Sequence, residues 1–366
     1  MSAVQPKKKS LYVSISAHGY GHFGQMAPIL NKLAMEHGNR IRFTIQTGIN
    51  EDFLQRHLHF EFKHIAKSDD IGMLMVDSME VKPQKSHRAY RDYHQTWPKE
   101  AMLKVREIDR QRADAVVSNV SYLTLAAAKQ LNTPSIGICS LNWAYIYLAY
   151  CGKLPGSEEI YSKALSHYRE ADRFLIPTPG MPMSTLGNQR TIGPLARLGN
   201  HYPNFRERLN LPQDHKIILV SMGGIPHQTH REKWPVLDNV TWIDAGPGQP
   251  GRADIIPIKN VPYSFIDILS QADLVVCKPG YGMFTEATCN GVPVLYVKRD
   301  QWPEGPHLVR WLEENNHCLE VEREAFDEGN FAEQAAQLLN RGKASRSIAP
   351  TGVGEACGYI LEALGL

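Results

Sequence analysis

Short apolar runs alternate with amphipathic stretches in two successive series, and this alternation limits the fold more than any other feature of the chain. A run that is apolar throughout suits a strand buried on both faces. An intervening helix then carries the chain back across the sheet, so successive strands lie parallel and helices cover both sides. In the first series LYVSISA (11–17), RIRFTIQT (40–47), DAVVSNV (114–120), TPSIGICS (133–140) and ADRFLIPTP (171–179) read as strands, the last closing this half. GQMAPILNKLAMEHG (24–38), WPKEAMLKVREIDRQRA (97–113) and YLTLAAAKQLN (122–132) read as helices, while residues 60–95, polar and rich in His and Lys, form a long excursion with a helix after it. Residues 191–215 are a linker with a short leading helix. The second series then runs from KIILVSMGG (216–224) through NVTWIDAG, DIIPIKNVP, DLVVCKPG and VPVLYVKR, with helices at YSFIDILSQA, GMFTEATCNG, PHLVRWLEENN and NFAEQAAQLLNRG.

The fold class expected is therefore α/β, with two Rossmann-like doubly wound domains in tandem, at 10–192 and 193–348. A final helix, within 349–366, is free to pack back on the first domain. Ligands of such sheets sit beyond the carboxyl ends of the strands, here in a cleft between the domains. A length of 366 residues suits two cores better than one. With 43% hydrophobic and 21% charged residues the chain is globular, and a net charge of +2 gives no sign of a nucleic-acid partner. Six cysteines without C-x-x-C pairing fit a reduced, cytoplasmic protein and no zinc site. No membrane span or signal peptide is read. Lys7, Lys8 and Lys9 leave peripheral contact with an anionic membrane open, against a solvated terminus.

Two glycine loops carry the chemistry. AHGYGHFGQMAP (17–28) holds a formal G-x-G-x-x-G at Gly19, Gly21 and Gly24. A dinucleotide site needs an acidic residue about twenty positions on, at the end of the second strand. That strand ends in QTG, and Glu51 and Asp52 lie past it on a helix start. His18 and His22 also sit awkwardly where a pyrophosphate would pack on backbone. A histidine in this loop suits a general base instead, and the other use, capping a helix or bonding backbone, stays open. In CKPGYGMFTEATCNGVP (277–293) a buried strand gives way to a helix near Tyr281 to Met283, with Gly280 and Gly282 at the turn. Helix N-terminal amides, the helix dipole and Lys278 favour an anion there, and Glu286 one turn on is placed for ribose hydroxyls. An ordinary tight turn and a solvated carboxylate are the plain alternatives.

Taken together, the loops and the tandem architecture resemble the GT-B glycosyltransferases, near the UDP-glucuronosyltransferase and MurG group. KPGYGMFTEATCNGVPVLYV resembles that group's donor signature, with nine residues from Lys278 to Glu286 matching the spacing of phosphate and ribose contacts. NVPYSFIDILSQADLVV resembles the segment that sets backbone of Val261 to Tyr263 against the nucleobase. VSMGG, with Gly223 and Gly224, resembles the first loop of the donor half. YGHFGQMAPILNKLA resembles the acceptor-half start; the resemblance puts His22 at the catalytic base and Gly21 among the donor-binding residues. AHGYGH with KPGYG is most similar to a bacterial branch also seen fused to sugar kinases.

The resemblance implies inverting transfer from a nucleotide-sugar donor, UDP-linked first and dTDP-linked second, to an acceptor that the sequence does not identify. His22, or His18, takes the acceptor proton. No cofactor is implied, and with no D-x-D in the chain no metal is either; Lys278, the amides of Gly280 to Met283 and the dipole neutralise the leaving diphosphate. Arg197 in GPLAR is placed to reach the donor phosphates. Some residues depart from the pattern. Pro28 lies six residues after His22 instead of three, so the loop is expected to be longer or reshaped. Asn119 stands where many members carry Asp. The acid-Gln pair for sugar hydroxyls comes early, as Asp300 and Gln301, with Glu304 sharing or replacing its role. A UDP-GlcNAc 2-epimerase and a non-catalytic sugar-nucleotide-binding protein are the alternative readings. His64, His87, Arg88, Arg91 and His94 in the excursion suit an anionic or sugar-bearing acceptor, or a solvated face.

Overall fold

The computed structural model describes residues 8–77, 79–223, 230–246, 251–299, 301–344 and 348–366. Gly224, Asp300 and Lys7 lie outside these described residues. The chain divides into two compact units: unit 1 comprises 1–76, 80–195 and 351–366, and unit 2 comprises 77–79 and 196–350.

Unit 1 holds seven parallel strands: β1 (Lys9–Ile15), β2 (Ile41–Thr47), β3 (Phe62–Ala66), β4 (Ala115–Asn119), β5 (Ser135–Ile138), β6 (Arg173–Pro177) and β7 (Gln189–Ile192). They are ordered β3-β2-β1-β4-β5-β6-β7. Leu11, Tyr12 and Val13 of β1 are fully buried, as a central strand covered on both faces requires. The register pairs Ile15 with Asn119 across β1 and β4. Two strands depart from the expectation. β3 lies inside the excursion, and β7 follows the strand expected to close this half. Both are edge strands and partly exposed, so neither carries the unbroken apolar run that marks the central ones. Residues 143–169, which give no clear periodic signal, form the helices Trp143–Cys151 and Ser157–Arg169.

The helix Gly352–Leu364 belongs to unit 1 and packs on the helix Gly21–His37. The Cys357 thiol reaches Ile29 O at 3.6 Å, and Arg173 grips Glu362 through both terminal nitrogens at 2.7 and 3.0 Å. A Cβ on Gly352 would fall 1.9 Å from Gly193 O, so only glycine allows this approach.

Unit 2 holds six parallel strands: β8 (Lys216–Ser221), β9 (Val240–Asp244), β10 (Ile255–Pro257), β11 (Leu274–Cys277), β12 (Val294–Val297) and β13 (Cys318–Val321). Their order, β10-β9-β8-β11-β12-β13, repeats the pattern of unit 1. Its core gathers Trp234, Trp242, Val276, Leu295, Phe326 and Phe331, together with Met79. Lys8 and Lys9 are engaged with Gly38 O and Asp114, at 3.0 and 3.4 Å. No helix among the described residues is long and apolar enough to cross a membrane.

Candidate functional site

In each sheet the strand order reverses once, between β1 and β4 in unit 1 and between β8 and β11 in unit 2. Loops leaving neighbouring strands there run to opposite faces and part, which opens space at the carboxyl ends. Both glycine loops sit at these points.

In unit 1 the helix Gly21–His37 begins directly after the loop, so His22 is its second residue and Pro28 lies inside it. The expected loop lengthening does not occur: the extra residues form helix, at the cost of one backbone hydrogen bond at Pro28. Among the described residues, a Cβ on Gly21 or Gly24 would meet nothing within 4 Å. His22 is buried, and its Nδ1 lies 2.7 Å from Asn119 Oδ1. Asn119 Nδ2 donates to Gln25 Oε1 at 3.0 Å, and Gln25 Nε2 donates to Ser140 Oγ at 2.8 Å. This relay fixes the tautomer. The Asn119 oxygen is turned to the ring, so Nδ1 carries the proton and Nε2 keeps the lone pair. Burial, followed by the charge on His18, pushes the imidazole down to about 4, while the Asn119 bond acts the other way. The ring is therefore neutral at pH 7. Asn119→Asp puts a full negative charge beside Nδ1 and should raise the His22 pKa by about 1–3 units. NMR titration of the ring checks this; an unchanged or lower value overturns the account.

His18 takes a different position. Its Nε2 lies 2.9 Å from Met73 O, and a Cβ on Gly72 (φ +62°) would come within 2.5 Å of its ring. The segment around Gly72 thus clamps His18 from the excursion. Trp143 packs against both histidines, with centroids 5.0 Å from His18 and 5.3 Å from His22. Its indole N–H donates to Asp70 at 2.7 Å. The excursion histidines bond within unit 1: His64 to Thr47 O, His87 to the Tyr147 hydroxyl, His94 to the Tyr122 hydroxyl. Arg88 and Arg91 are exposed.

In unit 2, Gly280 caps the helix Tyr281–Cys289, whose first turn includes Gly282 and Met283. The first N–H groups of any helix lack intrahelical acceptors. Among the described residues a Cβ on Gly282 would meet nothing within 4 Å, and one on Gly280 only Lys278 O at 4.0 Å. Lys278 is pushed down to about 8, by burial first and Arg299 second, and is cationic at neutral pH. Gly223, at φ +87°, lies against its stem: a Cβ there would sit 2.9 Å from Lys278 Cε. Arg299 lies over the Trp302 ring, whose N–H donates to buried Glu304 at 3.1 Å.

Glu286 is buried and ion-paired with Arg197, whose Nε and Nη2 reach its two oxygens at 2.6 and 3.2 Å. The solvated-carboxylate alternative is thereby excluded. Asn290 ties the pair's backbone, donating to Arg197 O at 3.1 Å. Val261 is buried at the end of a 3₁₀ turn, and Tyr263 packs on Tyr202 and Phe205 at 4.6 and 4.8 Å. Gln301 is exposed, with a left-handed backbone (φ +68°).

Sequence reasoning missed Gln25, Ser140, Trp143 and Asp70. Gln25 had a signal, three residues after His22 and so on the same helix face. Asp70 lies in an excursion without periodicity, and only the fold brings it to Trp143.

No family model matches the chain. It is 24% identical over 308 residues to L-arabinokinase of Arabidopsis thaliana, covering 82% of this chain and 29% of that protein. The chain thus spans about three-tenths of the length of the curated relative it matches. Among solved structures, the calicheamicin glycosyltransferase CalG4 superposes with a TM-score of 0.65 at 14% identity, over 98% of both chains. UGT89C1 of Arabidopsis thaliana complexed with UDP gives 0.57 at 12% identity, over 98% of this chain and 100% of that one. UDP-GlcNAc 2-epimerase of Neisseria meningitidis bound to UDP-GlcNAc gives 0.56 at 14%, over 97% and 99%. With two doubly wound parallel sheets in tandem and these structural neighbours, the chain has the GT-B fold.

Proposed function

We propose that the protein is a glycosyltransferase that moves a sugar from a nucleoside-diphosphate donor, UDP-linked first, to an acceptor hydroxyl with inversion. The observation that carries this is the His22–Asn119–Gln25–Ser140 relay, which leaves a neutral imidazole with its Nε2 lone pair at a switch point. In the reaction, Nε2 takes the acceptor proton as the oxygen attacks the anomeric carbon. The bond from that carbon to the diphosphate breaks, and the diphosphate leaves with the electron pair. Lys278 and the first-turn amides of the helix Tyr281–Cys289 meet the charge that builds on it. Glu286 receives the ribose hydroxyls while Arg197 keeps its carboxylate in place. Val261 and Tyr263 serve the base; Gln301 and Glu304, with Asp300, serve the sugar.

Glu286→Gln preserves shape and removes charge. It should weaken UDP binding about tenfold or more, the worth of a hydrogen bond to a charged group. Calorimetry with UDP reads this directly, and unchanged affinity removes Glu286 from the donor site.

The likeness to the Neisseria epimerase keeps a second reading, a UDP-GlcNAc 2-epimerase. Incubation with UDP-sugars and an acceptor panel decides between them. UDP released only with acceptor supports transfer. UDP with 2-acetamidoglucal and no acceptor requirement supports the epimerase, and binding without turnover supports a sugar-nucleotide-binding protein.

A further inference from the structure

We infer that Asp70 is the acceptor-selecting residue of unit 1, favouring hydroxyl-rich or amine-bearing acceptors over anionic ones. This rests on the reading of unit 1 as the acceptor side. The chain delivers Asp70 by a firm anchor. Its neighbour Asp69 is buried against Lys104 at 2.6 Å and accepts from Thr124 Oγ1 at 2.8 Å, while Tyr93 donates to Asp69 O at 2.9 Å. With Asp69 held on that side, Asp70 meets the Trp143 indole N–H at 2.7 Å and the Ser16 hydroxyl.

Trp143 is the same ring that packs against His18 and His22, so one side chain links the Asp70 carboxylate to both loop histidines. Asp69 is ion-paired with Lys104, whereas the donors to Asp70, the Trp143 N–H, the Ser16 hydroxyl and its own backbone N–H, are all neutral and leave its charge for another partner. Burial, against the Trp143 and Ser16 bonds, pushes its carboxyl up to about 6, so it is ionised at pH 7 and above. A carboxylate accepts from hydroxyl or ammonium groups and repels an anion.

The same glycine loop carries a second exposed surface. Tyr20, two residues before His22, stacks on Phe53 at 4.3 Å and 10° and is 47% exposed. Such a ring receives the apolar face of a sugar or an aromatic aglycone.

The test uses one scaffold in three charge states, methyl glucoside, glucosamine and glucuronate, with the full chain at pH 7. Saturation-transfer NMR reads binding, and calorimetry with UDP is run in parallel. Wild-type protein should prefer glucosamine, then the glucoside, then glucuronate. Asp70→Asn should narrow the glucosamine-to-glucuronate ratio about tenfold, the worth of a charged hydrogen bond. Asp70→Glu should restore it, and Tyr20→Ala should weaken all three alike. Glucuronate bound as well as glucosamine by the wild type, no binding of any probe, or a ratio unmoved in Asp70→Asn overturns the inference. Failure to bind UDP with an Asp70-dependent ratio intact overturns the donor reading instead.

Discussion

His22→Ala is expected to lower transfer by about 10²- to 10⁴-fold, the usual contribution of a positioned general base. Donor affinity should hardly change, because the proposed donor residues other than Gly21 lie in unit 2 and His22 in unit 1. Steady-state rates with saturating donor, alongside calorimetry with UDP, separate the two effects. The pH profile supplies an independent check. The base works in its neutral form, and burial holds the His22 imidazole near 4. As pH falls, kcat at saturating acceptor, which sets aside acceptor binding by the Asp70 carboxyl near 6, should therefore stay level through the usual histidine range and decline only near 4. A limb near 6.5, the ordinary histidine value, would mean that a histidine other than His22 takes the proton. Full activity in His22→Ala would end the assignment.

The largest stability effect is expected at Lys104, which is 1% exposed and bonds Asp69, Glu107, Gln46 and Tyr12 at 2.6, 2.5, 2.5 and 3.1 Å. Lys104→Met strands the buried Asp69 carboxylate. Removing one partner of a buried pair costs about 3–5 kcal/mol. Asp69→Asn added to Lys104→Met should recover much of this, since the fully buried carboxylate is then neutral and only the partly exposed Glu107 stays charged. Denaturant titration of the four species closes the cycle. A single-variant loss below about 1 kcal/mol, or no recovery in the double variant, would show that the cluster is solvated and contributes little.

The central strands were legible because burial on both faces leaves an unbroken apolar run, as in DAVVSN and DLVVC. Edge strands β3 and β7 face solvent in part and so lack that mark. The same limit applies to the site. His22 and Asn119 were singled out from separate motifs, and the fold sets them 2.7 Å apart. Trp143 and Asp70 carry no motif; their pairing spans 73 positions and exists only once β1 and β5 have set the sheet. The Arg197–Glu286 pair shows the converse: each residue was picked for a ligand, and sequence gave no hint that they hold one another.

The helix Gly352–Leu364 completes unit 1, yet it is made after residues 196–350. At about 5–20 residues per second, the helix Gly21–His37 waits a few tens of seconds on the ribosome without its cover. During that interval its bare seat is open to chaperones and to the same helix from another copy, the usual route to a swapped dimer. A fusion that obstructs residues 351–366 would accordingly harm the half of the protein that is synthesised first.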